Sequence, residues 1–169
     1  MPWYAQEKAS EGAFAAFAGI QFVESGSNEL RWNCIALGDA CLIHKPRKGL
    51  VSSRPIDDPG GFGYHPLLVP SDPARQAGIA QQVDVFHGTA EPGDTFLLLT
   101  DAIACWYLQA RADASSRADQ FEEVVGAGDR QAAIGLIGAE RESGRLRNDD
   151  VAVVRLDIST RGRQPAVDV

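Results

Sequence analysis

The chain has 169 residues, of which 44% are hydrophobic and 23% charged, enough for one domain with a buried core. Its formal net charge of −7 argues against nucleic acid or an anionic membrane surface as the main partner. No stretch approaches the roughly 20 apolar residues that span a bilayer, and MPWYAQEKASEGAF lacks the basic start and apolar run of a signal peptide, so the expectation is a cytoplasmic protein.

In chain order, residues 13–23 (AFAAFAGIQFV) read as a buried strand, with a buried helix as the alternative for the first half, and SGSN at 25–28 reads as a turn. Residues 29–37 (ELRWNCIAL) alternate as a strand does and break at Gly38-Asp39. Strand character resumes at 40–45, PRKG at 46–49 is a tight turn, and a short strand follows at 50–53. This predicts an antiparallel meander over 29–53. Residues 55–82 are a long loop rich in proline and glycine, with DDPGG (57–61) as a turn, and a loop of that length is often functional. A strand at 83–87, a turn at EPGD (91–94) and a strand at 95–100, apolar on both faces, come next. Helices are predicted over 102–112, 117–125 and 129–143, the last leaving Arg130, Glu140, Arg141 and Glu142 to water and stopping at Gly144. The last strand covers 151–158, and a polar, disordered tail is expected from Ser159. The fold class is therefore α+β, a single domain over 1–158 with a mostly antiparallel sheet and a tail over 159–169.

Three cysteines, Cys34, Cys41 and Cys105, without a CxxC, suit neither a disulfide framework nor a structural zinc site. Cys41 and His44 form a CxxH, read as packing because no second ligand pair is visible. His65 and His87 are isolated, and Trp106 and Tyr107 are expected to pack their helix onto the sheet.

Three aspartates stand at strand ends: Asp39 at the break after residue 37, Asp101 after the strand at 95–100, and Asp149 just before the last strand. If the last two strands run antiparallel, Asp101 and Asp149 share one rim, which Asp39 can join from its bend. Two unit charges about 4 Å apart repel by about 4 kcal/mol at an effective dielectric of 20. A hard divalent cation removes that repulsion, and oxygen-only ligands suit magnesium or manganese. Against this stands the ordinary duty of such aspartates, which is to cap turns and helix starts.

CIALGDACLIH, EPGDTFLLLTDAI and RNDDVAVVRLDI resemble, in order, the GD segment, the (S/T)-D-G segment and the closing D-(N/D)-x-T strand of PPM-type (PP2C-like) protein serine/threonine phosphatases. The resemblance covers roughly residues 12–158. It implies an antiparallel β-sandwich flanked by helices (α-β-β-α), here incomplete. It also implies hydrolysis of phosphoserine and phosphothreonine by a water activated by two Mg²⁺ or Mn²⁺ ions. Asp101 and Asp149 are then core metal ligands, and Asp39 serves an accessory metal. The departures are specific. No D-G-x-G-G precedes Asp39, Ala102 replaces a glycine, Cys105 stands where some members carry an aspartate, and Ala40 and Cys41 replace serine and arginine. The chain thus corresponds to the C-terminal two-thirds of such a domain, either shortened or divergent. Three outcomes are open: a metal-dependent phosphatase acting on a phosphoprotein, an inactive pseudophosphatase that binds or regulates a protein partner, or a metal-free structural domain whose aspartates only cap turns.

Overall fold

The computed structural model describes residues 12–25, 29–63 and 66–159. Residues 26–28 of the SGSN turn, His65 and the tail beyond Ser159 lie outside the described residues. The strands are β1 (Phe14–Ala15), β2 (Phe17–Ser25), β3 (Glu29–Leu37), β4 (Cys41–Lys45), β5 (Ser52–Arg54), β6 (Val69–Pro70), β7 (Asp84–Ala90), β8 (Thr95–Leu99) and β9 (Val153–Asp157). Between β8 and β9 come helices α1 (Asp101–Ala112), α2 (Arg117–Gly126) and α3 (Arg130–Glu142). The 55–82 segment is built from short 3-10 turns at Pro59–Gly61, Pro73–Arg75 and Ile79–Gln82 around the small β1–β6 ladder. DDPGG is a turn as expected, with the Asp58 carboxylate accepting from Gly60 N at 2.7 Å.

Two antiparallel sheets face one another, one ordered β2-β3-β7 and the other β5-β4-β8-β9. In β3, Trp32, Cys34 and Ala36 are buried while Arg31, Asn33 and Ile35 are exposed, the period of two that a half-covered sheet imposes. Its inner face meets Leu42 and Phe96 of the second sheet. There Phe96 lies edge-on to Phe22 and Trp32, at ring separations of 5.3 and 5.7 Å. A side chain buried as fully as Phe96 contributes roughly 1.5–3 kcal/mol. The other face of the second sheet presents Cys41, Ile43, Leu97 and Leu99 to the helices. Ile103, Trp106, Tyr107 and Ala110 supply the helical side of that core, at the i, i+3, i+4, i+7 spacing of one helix face. Trp106 and Tyr107 are packing residues, as predicted. Asp129 caps α3 by accepting from Gln131 N and Ala132 N, both at 3.0 Å, and Gly144 ends it at φ 72°. Among the described residues, no helix is long and apolar enough to cross a membrane.

Three expectations are corrected. Residues 13–23 are not one buried strand but β1 and β2, none of whose residues up to 23 is fully buried, because β2 is an edge strand whose outer face is uncovered among the described residues. The 29–53 segment is not a meander, because β3 pairs with β2 and β7, whereas β4 pairs with β5 and β8. The consecutive residues Cys41, Leu42 and Ile43 are all buried and need cover on both faces, which a central strand of the second sheet has. Gly38, at φ +89°, makes the crossing between sheets, and a Cβ there would lie 2.9 Å from the Leu67 carbonyl oxygen. Glu140 is not a solvated residue. It is 8% exposed and accepts from Trp106 Nε1 at 2.8 Å and from both Arg145 Nε and Nη2 at 2.8 Å.

Candidate functional site

Strand register decides where the three aspartates go. Cys41 lies opposite Leu99, and Leu99 opposite Val153, so β4, β8 and β9 share one end. Asp39 precedes that end on β4, Asp101 follows it on β8, and Asp149 precedes it on β9. Thr100 ties the last two segments together. Its N–H donates to Ala152 O at 3.2 Å, its hydroxyl donates to Asp150 O at 3.1 Å, and the same oxygen accepts from Ala152 N at 3.1 Å. All three predicted acids therefore stand at one rim, which also carries the junction where the chain crosses between sheets.

Their surroundings differ. Asp39 is 8% exposed, and its carboxyl is raised above the usual carboxylate range, first by burial and then by the negative charge of Asp101, with a smaller push from Asp149. Its own backbone N–H and the Arg147 guanidinium pull the other way. Asp39 lines a cleft of about 280 Å³ walled by Leu37, Gly38, Ile56, Leu67 and Asp84. Asp101 is the first residue of α1, but it does not cap it. The N-cap position belongs to Thr100, and the Asp101 carboxylate accepts from Arg147 Nη2 at 2.7 Å. Asp149 turns onto its own segment, where its carboxylate accepts from Asp150 N at 2.8 Å. Its N–H donates to Arg147 O at 3.0 Å, and its carbonyl accepts from the Arg141 guanidinium.

The CxxH pair does not converge, since positions three apart on a strand face opposite ways. Cys41 Sγ points toward the helices and donates weakly to Asp39 O at 3.5 Å, and burial pushes its thiol up to about 11. His44 faces the inter-sheet core, stacked on Phe96 at 4.3 Å, with its Nε2 at 3.0 Å from Asp94 Oδ2. Asp94 also accepts from Arg47 N and Glu91 N at 2.7 and 3.1 Å. His87 is exposed on β7. Cys105, one turn into α1, bonds to Pro59 O at 3.7 Å, and its thiol is raised by burial, with Asp101 adding to the rise and Arg147 opposing it.

An oxygen-only set of mutually repelling carboxylates has the donor chemistry of a hard divalent cation. The geometry does not match that chemistry. Among the described residues, no three histidine, cysteine, aspartate or glutamate side chains stand close enough together to hold a metal ion. Asp101 is already engaged by an arginine. The residues as arranged do not fit a two-ion centre.

Among solved structures, the chain is similar to the catalytic domain of the serine/threonine protein phosphatase PstP, determined in complex with two manganese ions. The two superpose with a TM-score of 0.55 at 19% identity, over 92% of this chain and 65% of that one. The fold is PP2C-like. This chain thus spans about 65% of that neighbour's length, and the likeness concerns the fold. No family model matches the sequence, nor does any curated protein. Of the layers expected for a PP2C-like fold, the described residues form two sheets and the helical layer on the β5-β4-β8-β9 side. The outer face of the other sheet exposes Phe17, Val23, Ile35 and Val85. Sequence reasoning passed over Arg147, the residue that grips Asp101. The signal available was two arginines, at 145 and 147, separated from an Asp-Asp pair by Asn148 alone.

Proposed function

We propose that this chain is a PP2C-like protein serine/threonine phosphatase domain, with phosphoserine and phosphothreonine proteins as its substrate class. The observation that carries the reading is the meeting of Asp39, Asp101 and Asp149 at one rim of a PP2C-like sandwich, in the order of the three sequence segments that resemble the family. Such a phosphatase uses Mg²⁺ or Mn²⁺ to activate water. The side chains described here supply no such centre, so no step of the reaction is routed through a metal. What the chain does supply is a fixed acidic corner, a neighbouring cleft at Asp39 and a rigid strand-to-helix junction at Thr100-Asp101.

A second reading, a pseudophosphatase that binds a phosphoprotein or regulates a partner without turnover, is favoured by the Asp101–Arg147 ion pair and by Ala102 and Cys105 at positions where the family carries other residues. The test is release of inorganic phosphate from a phosphothreonine peptide with and without Mn²⁺. The phosphatase reading expects Mn²⁺-stimulated release that falls at least 100-fold in Asp101→Asn. Equal, background-level release from both proteins rejects it. Saturable peptide binding without turnover would support the second reading.

A further inference from the structure

Of the three rim acids, Asp39 is the buried one without a counter-charge. Asp101 accepts from Arg147 Nη2, and Asp149 accepts from Asp150 N. Asp39 is 8% exposed, yet among the described residues no other residue donates a hydrogen bond to its carboxylate. Its oxygens are not sealed from solvent either, and the opening it lines is the cleft. A buried carboxylate is ordinarily paired, so one left open at the wall of a cleft is built for a ligand. The negative charge of Asp101 acts on Asp39 more strongly than the opposing charge of Arg147. The cleft holds about 280 Å³, below the roughly 300–1,000 Å³ of sites that take a whole small molecule, and is sized for a single side chain. Leu37, Ile56 and Leu67 give it apolar walls, and exposed Asp84 adds a second carboxylate.

We propose that this cleft is a subsite for one basic side chain, arginine or lysine, flanking the phosphorylated residue of a peptide substrate, with the Asp39 carboxylate as the partner of its cation. An organic cation on a long stem needs a single carboxylate at its tip, not a cluster of ligands. Its methylenes lie against the apolar walls while its charged end meets Asp39. The charges match one to one, and a guanidinium gives one carboxylate two parallel hydrogen bonds. Asp84 strengthens the attraction without having to touch the same atom. Because Asp39 stands at the rim, the basic residue falls within a few positions of the phosphorylated one. The inference rests on the phosphatase reading for its choice of peptide, but its test involves no turnover, so either can fail without the other.

The experiment is fluorescence anisotropy of labelled phosphothreonine peptides on the intact chain, in EDTA so that no divalent ion takes part. The peptides carry arginine, lysine or citrulline at each of the two positions on either side of the phosphothreonine, citrulline having the shape of arginine without its charge. At the best position, wild type is expected to bind the arginine and lysine peptides about tenfold or more tighter than the citrulline peptide. In Asp39→Asn that preference should shrink to within about threefold. In Glu123→Gln, which removes one exposed charge from α2, it should persist, separating the subsite from attraction to the net charge. Equal binding of arginine and citrulline peptides at all positions overturns the proposal, as does no measurable binding of any arginine peptide. A preference that survives in Asp39→Asn, or that falls equally in Glu123→Gln, also overturns it. The preference without Mn²⁺-stimulated phosphate release upholds the subsite and rejects the phosphatase reading, and release without the preference does the reverse. If circular dichroism shows that Asp39→Asn fails to fold, Asp84→Asn, at an exposed position, should cut the preference at least threefold, and an unchanged preference there overturns the proposal.

Discussion

Replacing Glu140 with alanine tests whether the α3 end and the segment bearing Arg147 and Asp149 are fixed by one buried carboxylate. Glu140 accepts from Trp106 Nε1 and from two Arg145 nitrogens, while its backbone carbonyl receives the N–H groups of Arg145 and Leu146. Alanine leaves the buried indole N–H without its acceptor, at a cost of about 1–3 kcal/mol. The pairing with Arg145, which is 48% exposed, is screened by solvent and adds little to this. The loss of about 1–3 kcal/mol corresponds to a fall in Tm of roughly 2–12 °C for a domain of this size. Glu140→Gln keeps an acceptor for Trp106 and should cost only about 1 kcal/mol. The pH dependence supplies a second test. The Arg145 guanidinium first, and the Trp106 N–H after it, hold the Glu140 carboxyl at about 2 against an ordinary 4.5, with burial opposing them. A depressed carboxyl contributes its stability in full above the unfolded value and loses it as pH falls toward the folded one. The Tm difference between wild type and Glu140→Gln should therefore be constant above pH 5 and close between about pH 4.5 and 2. Differential scanning fluorimetry across pH 2–7 measures both effects. An alanine variant melting within a degree of wild type, or a glutamine gap insensitive to pH, refutes the reasoning.

Three further outcomes are expected. Gly88→Ala places a Cβ 2.7 Å from Trp32 Cζ2 in the inter-sheet core, and chemical denaturation should report a loss of about 1–3 kcal/mol from overpacking. Tyr107→Phe removes the hydroxyl that donates to Glu122 at 2.7 Å and accepts from Arg111 Nε at 3.2 Å, which should cost about 1–2 kcal/mol by the same measurement. In the folded protein at pH 8, Cys34 and Cys41 should resist a thiol-reactive disulfide reagent. Both are fully buried with raised thiols, and they become titratable only in denaturant.

Elements with strong local patterns were legible in the sequence. β3 was read from the alternation in ELRWNCIAL, and α1 from its apolar spacing, because each pattern follows from a single face or period. The sheet to which each strand belongs was not legible. Gly38-Asp39 reads equally as a hairpin bend or as a passage between sheets, and only the full burial of Cys41–Ile43 against two different cores separates them. The rim shared by Asp101 and Asp149 followed from antiparallel pairing alone. The ion pair that occupies Asp101 did not, since it joins residues 46 positions apart through a side chain rather than through the ladder. Glu140 was misread for a related reason. A charged residue on an amphipathic helix normally faces water, and its burial here depends on an indole from another helix.

The passage at Gly38 has a mechanical consequence. Asp101 and Asp149 flank strands of one sheet, whereas Asp39 sits on the link between both. A change in sheet spacing, such as a smaller side chain at Phe96 or Trp32, should shift the first acid against the other two. Far from the rim, the aromatic filling between the layers sets the distance across which these charges feel one another.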